Sequence, residues 1–325
     1  MRFLFSNPCA ARVCRAFGMA LLLVALAPGC ERVKNKLNRL VEAGRAQPEP
    51  SPPPEPPLTE EEMAINARMA DPALFDASEN LPAVPKATAF ELNKSSVVSI
   101  LGYHDFKERG GEAMVISAQK FREQMQFIKD SKIPVISLDD LLAWKKGMKN
   151  IPEEAFVITM DDGWVGVYQH AWPVLKEFGF PFTIYLYKKY VNIGGRSLNW
   201  AQIKEMMASG LCTIGSHSVS HDSMTARKGR SEEDYTAYLQ SELLDSKAFL
   251  EQNLGITCTS FAYPYGNYNE HIRDMGLAAG YETLVTVNGS KVNWDTHLGD
   301  LGRFIIHGVN DSVFQLAASF RSRGA

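Results

Sequence analysis

Short apolar runs alternate with amphipathic runs from Ser96 onward, and this order limits the possible folds more than any other feature of the chain. The strand-type runs include SVVSILGYH, PVISL, AFVITMD, PFTIYLY and CTIGSH, and the helical runs include SAQKFREQMQFIKDS, VGVYQHAWPVLKEFG and EEDYTAYLQSELLDSKAFLEQNLG. Strict alternation predicts an α/β fold with a parallel sheet and helices outside it. Because about seven such units follow one another, we expect a barrel rather than an open sheet.

The first 29 residues have the layout of an export signal. Arginines precede the apolar run FGMALLLVALA, the sequence PGC then ends at Cys30, and no acidic residue occurs before Glu31. The apolar run is shorter than the roughly 20 residues that a membrane-spanning helix needs. We predict a signal peptide over residues 1–29, with Cys30 lipidated as in bacterial lipoproteins. Ordinary signal cleavage and an uncleaved anchor remain alternatives.

Residues 30–94 are predicted to form a tether. They contain the segment QPEPSPPPEPP, which favours an extended polyproline conformation and a semi-rigid spacer. The following segment LTEEEMAINARMA predicts a short helix capped by Thr59. The tether therefore separates an N-terminal anchor from a globular domain over residues 95–325.

The charge of the chain limits its partners. Removing residues 1–29 removes three arginines and no acid, which takes the formal charge from −3 to −6. A chain this acidic is a poor match for nucleic acid or anionic surfaces. We expect an exported protein of the cell envelope, anchored to a membrane as a lipoprotein, with a periplasmic or secreted protein as the alternative.

Cys212 and Cys258 either form a disulfide or act as small buried apolar residues.

Polar residues stand at the ends of the predicted strands, where a parallel barrel collects its chemistry. They are His104, Asp161, Asp162, His217 and, just after a strand, Tyr265. Adjacent residues of a strand point to opposite faces, but Gly163 allows a sharp turn that aims both carboxylates at one site. Two carboxylates this close favour a cation beside one of them.

The segment HSVSH supplies the other candidate ligands for such a cation. Two histidines with one carboxylate form a typical zinc site that leaves a position open. An HxxxH spacing alone is also typical of an ordinary surface turn. A protease of the HExxH type is excluded, because Ser218 stands where the glutamate is required.

The motifs TMDDG, HSVSH and FAYPYGNYN resemble the first three motifs of the polysaccharide deacetylase family, which has the NodB homology fold and forms carbohydrate esterase family 4. The resemblance covers residues 95–307. It implies a deformed (β/α) barrel of the NodB type and removal of acetyl groups from N-acetylated sugars. It also implies a divalent metal ion, with Zn²⁺ expected and Co²⁺ or Ni²⁺ as alternatives.

The resemblance also implies a role for each motif residue. Asp161 is the expected general base, and Asp162, His217 and His221 are the expected metal ligands. The backbone N–H of Tyr265 is expected to donate to the oxyanion of the tetrahedral intermediate.

The chain departs from the family pattern at two positions. Many members have an arginine where this chain has Tyr263, and we expect Arg303 to orient the base instead. The sequence YHD around His104 resembles the N-terminal motif of the subgroup that acts on poly-N-acetylglucosamine. We therefore expect His104 to be the general acid, with the late His307 as the alternative.

Together these features predict a metal-dependent amide hydrolase that removes N-acetyl groups from a β-linked N-acetylglucosamine polysaccharide. This polysaccharide is either an exopolysaccharide or part of the cell wall. The alternatives are a catalytically silent carbohydrate-binding protein of the same fold and an O-acetyl polysaccharide esterase. Trp164 either stacks on a sugar ring or fills the rim of the site.

Overall fold

The computed structural model describes residues 91–320. The predicted signal peptide, the lipidation site Cys30, the tether up to residue 90 and the last five residues lie outside the described residues. Within residues 91–320, every helix is too short or too polar to cross a membrane.

Seven parallel strands form the main sheet of the described part of the chain. They are β1 (Val97–Tyr103), β4 (Glu154–Met160), β5 (Phe182–Leu186), β6 (Cys212–Ser216), β7 (Ser260–Ala262), β8 (Thr283–Val285) and β9 (Phe304–Ile305). Their spatial order is β8-β7-β6-β5-β4-β1-β9. Two further short strands, β2 (Asp105–Lys107) and β3 (Val115–Ser117), pair with each other.

One segment links the two edges of this curled sheet. The N–H of Leu301 donates to the carbonyl of Leu284 in β8, and the Leu301 carbonyl accepts from Thr286 at 2.8 Å. Only three residues later, Phe304 of β9 pairs with Leu101 of β1. The connection is therefore irregular rather than a full strand, as expected of a deformed (β/α) barrel.

Helices occupy most of the crossovers between the strands. They span Ala118–Ser131, Leu138–Lys145, Trp172–Phe178, Trp200–Ala208, Glu232–Gln240, Ser246–Leu254, Glu270–Ala278 and Ser312–Ala318. Several begin at a side-chain cap. For example, Ser137 and Asp140 form a reciprocal capping box, as do Asn199 and Gln202. These caps satisfy backbone N–H groups that the first helical turn leaves unpaired.

The two longest predicted helices after β4 each contain a wider turn. A π-type turn over Val167–Ala171 precedes the helix Trp172–Phe178. A second over Ser241–Asp245 separates the helices Glu232–Gln240 and Ser246–Leu254. Such turns shift the faces that the flanking helical segments present.

The structure differs from the sequence prediction at several short elements. The run PVISL is not a strand, and Val135 forms an isolated bridge to Phe156. Pro134 lacks an N–H group and Ser137 already caps the next helix, so little chain remains for pairing. The sequence analysis also missed β2, β3, β9 and the helix Ser312–Ala318, of which the three strands are too short to show a periodicity.

Alternate residues of the strands pack into two separate apolar clusters. Ile100 and Val157 belong to the cluster that includes the helix Leu138–Lys145. Their neighbours Leu101 and Ile158 belong to the larger cluster against the other helices. This division follows from the two-residue period of a strand, and it explains why the strands are apolar on both faces.

The two cysteines of the described domain are free and buried. Burial raises the pKa of the Cys258 thiol to about 12, and it raises that of Cys212 as well. Of the two alternatives drawn from the sequence, small buried apolar residues are therefore the correct one.

We predict that Gly166→Ala destabilises the domain by about 1–3 kcal/mol, the usual cost of overpacking a filled site. Its backbone is already helical, and alanine would gain up to about 1 kcal/mol in helix propensity. However, an added Cβ would overlap the carbonyl oxygen of Phe106 and the carboxylate of Asp105. Denaturant unfolding measures the difference.

Gly289→Ala is the matched control, because its Cβ would meet its nearest neighbour, Phe304, at an ordinary 3.5 Å. Equal unfolding free energies for the two variants would contradict the prediction.

Candidate active site

The backbone separates the two adjacent carboxylates. Asp161 comes directly after β4 and points to the same face as Thr159, as the two-residue period of a strand requires. Asp162 then adopts a left-handed conformation with φ of 73°, and Gly163 continues it with φ of 79°. The N–H of Leu198 donates to the Gly163 carbonyl at 2.9 Å. This turn sends the Asp162 side chain toward a different partner from that of Asp161.

Asp161 forms a buried ion pair with Arg303. The two guanidinium nitrogens donate to the two carboxylate oxygens, each at 2.7 Å. Arg303 is fully buried and also donates to the hydroxyl of Thr159 at 3.1 Å and to the carbonyl of Thr286 at 2.9 Å. Breaking a buried pair of this kind by removing one partner costs about 3–5 kcal/mol.

The same pair sets the charge of Asp161. Burial by itself would raise the pKa of Asp161, but the Arg303 guanidinium together with His217 and His104 outweighs it and holds the pKa below the usual range. Asp161 is therefore a carboxylate at neutral pH.

Asp162, His217 and His221 converge on one point. The Asp162 Oδ1 atom lies 3.6 Å from His217 Nε2 and 3.2 Å from His221 Nε2. The three potential ligand atoms are all within 4.8 Å of one another. The Oδ1 atom is buried, yet it accepts no hydrogen bond from any of the residues 91–320.

The hydrogen bonds of His217 leave its second nitrogen free to bind a cation. Its Nδ1 lies 2.7 Å from the carbonyl of Ala262. Because a carbonyl can only accept, Nδ1 carries the hydrogen and Nε2 presents a lone pair. Burial lowers the pKa of His217, which favours the neutral form that ligates metals. Two imidazoles and one unpartnered carboxylate oxygen fit a divalent cation such as Zn²⁺.

The two histidines meet through tight bends rather than through a turn of helix. Ser218 has φ of 74° and His221 has φ of 61°. The two imidazole rings lie 4.7 Å apart.

Trp164 forms a hydrogen bond with the second carboxylate oxygen of Asp162. Its indole N–H donates to Oδ2 at 2.9 Å, which leaves Oδ1 to face the histidines. The guanidinium of Arg196 lies over the indole ring at 4.6 Å and donates to the buried Asp105 at 2.7 Å. The sequence analysis missed Arg196, because it lies in a glycine-containing loop without a recognisable pattern.

Asp161, Asp162 and the two histidines line a cavity of about 700 Å³, and the remaining predicted residues lie around it. His104 Nε2 is 3.9 Å from Asp161 Oδ2, and its Nδ1 is buried without a partner among the described residues. Tyr265 has φ of 59°, and its ring lies 4.7 Å from that of His221. His307 also lines the cavity. All of the predicted site residues except Arg303 line it, and Arg303 reaches it through Asp161.

Comparison with known proteins agrees with this arrangement. Residues 149–284 match the family model for polysaccharide deacetylase. Over these residues the chain is similar to the polysaccharide deacetylase family. The match includes the Asp pair, both histidines and Tyr265, whereas His104, Arg303 and His307 lie outside it. The domain is therefore a hydrolase of the deacetylase type.

Individual relatives support the same assignment. YxkH of Bacillus subtilis, named as a polysaccharide deacetylase, is 27% identical over 228 residues, which are 70% of this chain and 76% of YxkH. A poly-beta-1,6-N-acetyl-D-glucosamine N-deacetylase of Staphylococcus aureus is 26% identical over 54% of this chain and 64% of its own length. The structure of IcaB from Ammonifex degensii is similar with a TM-score of 0.60 and 28% identity, over 69% of this chain and 96% of IcaB.

We predict that the metal-free protein binds one Zn²⁺ per chain, and that alanine at Asp162, His217 or His221 weakens binding by more than about 100-fold, since each removes a direct ligand. Calorimetric titration measures the affinity. His271→Ala, which alters an exposed histidine away from the cavity, is the control and should bind as the wild type does. Unchanged binding by Asp162→Ala would contradict the assignment of the site.

Proposed function

We propose that this deacetylase removes N-acetyl groups from a β-linked N-acetylglucosamine polysaccharide and requires a divalent metal ion. The observation that carries the proposal is the unpartnered Asp162 Oδ1 between two imidazoles, directly beside the carboxylate of Asp161 that Arg303 holds ionised. We propose Zn²⁺ as the ion, with Co²⁺ or Ni²⁺ as alternatives, held by Asp162, His217 and His221.

In this proposal Asp161 is the general base. When bound, a divalent cation supplies a Lewis acid that polarises the acetyl carbonyl and makes a nearby water more acidic. Asp161 accepts the proton as the water oxygen attacks the acetyl carbon. Arg303 keeps the carboxylate ionised and fixes its orientation, because both of its oxygens are engaged at 2.7 Å.

The opposite proton transfer is assigned to His104. As the carbon–nitrogen bond breaks, His104 donates a proton to the departing sugar amine, and acetate remains. Its Nε2 lies 3.9 Å from Asp161, so acid and base stand side by side at the same cavity. We propose that the Tyr265 N–H stabilises the oxyanion, a contribution worth about 3 kcal/mol in comparable sites.

Two considerations support the polysaccharide as substrate. The Staphylococcus aureus relative is named for poly-beta-1,6-N-acetyl-D-glucosamine. In addition, the cavity is lined by the aromatic residues Trp164 and Tyr265, and such side chains pack against sugar rings in binding sites. The presence of base, ligands and acid candidate in one cavity weighs against a catalytically silent sugar-binding protein.

The N-terminal region supports an exported enzyme. We propose that residues 1–29 are a signal peptide, that Cys30 carries a lipid, and that residues 30–94 tether the catalytic domain of residues 95–325 to a membrane of the cell envelope. These segments rest on the sequence alone, because residues 1–90 lie outside the described part of the chain.

The direct test is acetate release by the zinc-loaded protein from a panel of polymers. We expect release from poly-β-1,6-N-acetylglucosamine, and loss of release in Asp161→Asn with zinc binding retained, because Asp161 is not a ligand. The proposal would be overturned if no acetate were released from this polymer, chitin oligomers or peptidoglycan with zinc, cobalt or nickel. Sugar binding without turnover, unchanged in Asp161→Asn, would instead indicate the silent binding protein, and release from O-acetylated polymers alone would indicate an esterase.

We also predict that His104→Ala lowers turnover by about 100-fold or more, within the range for loss of a general acid. His307→Ala should lower it less, because His307 serves only as the alternative acid in this proposal. Steady-state rates on the same polymer measure both. Equal losses, or a larger loss in His307→Ala, would move the acid role to His307.

A further inference from the structure

The segment HSVSH, which carries two of the three proposed ligands, pairs three of its five backbone N–H groups with β5 and with nearby serine hydroxyls. The N–H of His217 donates to the carbonyl of Leu186 at 2.9 Å. The N–H of Ser218 donates to Ser216 Oγ at 3.3 Å, and that of His221 to Ser218 Oγ at 3.0 Å. Two consecutive N–H groups between the histidines, those of Val219 and Ser220, need an acceptor from elsewhere.

Glu242 supplies that acceptor. Its Oε2 atom accepts from the N–H of Val219 and from the N–H of Ser220, both at 2.9 Å. The residue is 4% exposed and has no part in the proposed reaction. Consecutive N–H groups that follow a left-handed residue such as Ser218 form a concave site for an anion, and here the anion is the carboxylate.

The segment is also held from its other side. The N–H groups of Lys188 and Lys189, just after β5, donate to the carbonyls of Ser218 and Val219 at 3.1 and 3.0 Å. Non-glycine residues with positive φ persist only where their surroundings hold them. Ser218 and His221 both have such angles, so the conformation that brings the imidazoles together depends on these contacts.

We propose that Glu242 is a positioning residue for the metal site. It lies 21 positions after His221 in the chain, and acts through the backbone between His217 and His221 rather than on the substrate or the ion. It sets the distance between the two imidazole nitrogens by accepting hydrogen bonds from the two consecutive N–H groups of the bend. This inference rests on the metal site of the proposed function.

The test measures zinc affinity of the metal-free protein by chelator competition, the absorption spectrum of the cobalt-loaded protein, and acetate release at saturating zinc. Glu242→Ala should weaken zinc binding by about 10- to 100-fold, the usual cost of losing a group that orients ligands, and should change the cobalt spectrum. Glu251→Ala is the matched control. Glu251 also accepts a backbone N–H, from Cys258 at 3.0 Å, on the same helical stretch, and its loss should leave zinc affinity unchanged.

Two conservative variants keep the test decisive if Glu242→Ala fails to fold. Glu242→Gln keeps the reach of the acceptor and should stay within about threefold of wild-type affinity. Glu242→Asp keeps the charge but withdraws the acceptor by one methylene, and should lose about tenfold, toward the lower end of the range for such orienting groups.

Wild-type affinity and cobalt spectrum in Glu242→Ala, or in both conservative variants, would overturn the positioning role. An equal loss of affinity in Glu251→Ala would overturn it as well, since the effect would then be one of general stability. Failure of the wild type itself to bind zinc would overturn the proposed metal site, an outcome distinct from these.

Discussion

Asp161 and Arg303 form a buried ion pair that joins the end of β4 to the segment between β8 and β9. Arg303 lies between Leu301, which bonds to β8, and Phe304 of β9, which pairs with β1. The segment that links the two sheet edges therefore also carries the cation that keeps Asp161 ionised. A fully buried guanidinium without this partner would be strongly destabilising. The Asp161–Arg303 pair therefore both holds the linking segment in place and keeps the proposed base ionised.

The two adjacent carboxylates face different partners because the backbone passes from an extended to a left-handed conformation between them. Asp161 keeps the strand geometry and faces the interior arginine. Asp162, in the left-handed conformation, faces the two imidazoles. Trp164 then occupies one oxygen of Asp162 and leaves the other for a cation. The two carboxylates are tolerated side by side because Arg303 compensates the charge of Asp161 and Asp162 points to separate hydrogen-bonding partners.

The histidine segment shows how a strained bend is stabilised from a distance. It leaves β6, turns through two residues of positive φ, and is held between the end of β5 and the carboxylate of Glu242. The two histidines proposed as ligands are therefore held by contacts with neighbouring elements, although their own segment has no regular structure. Orientation of ligands by such outer contacts commonly tunes metal affinity.

The amino-acid sequence was enough to predict the fold class and the position of the site, because alternating periodicities report parallel strands and the motif residues stand at strand ends. It also pointed to Arg303 as the partner of Asp161, a contact that the structure contains. The short strand β9, the Asp105–Arg196–Trp164 contacts and the acceptor role of Glu242 became visible in the folded chain alone. Each of these joins segments far apart in the chain through a few hydrogen bonds, and local residue patterns carry no information about which distant groups packing will bring within bonding distance.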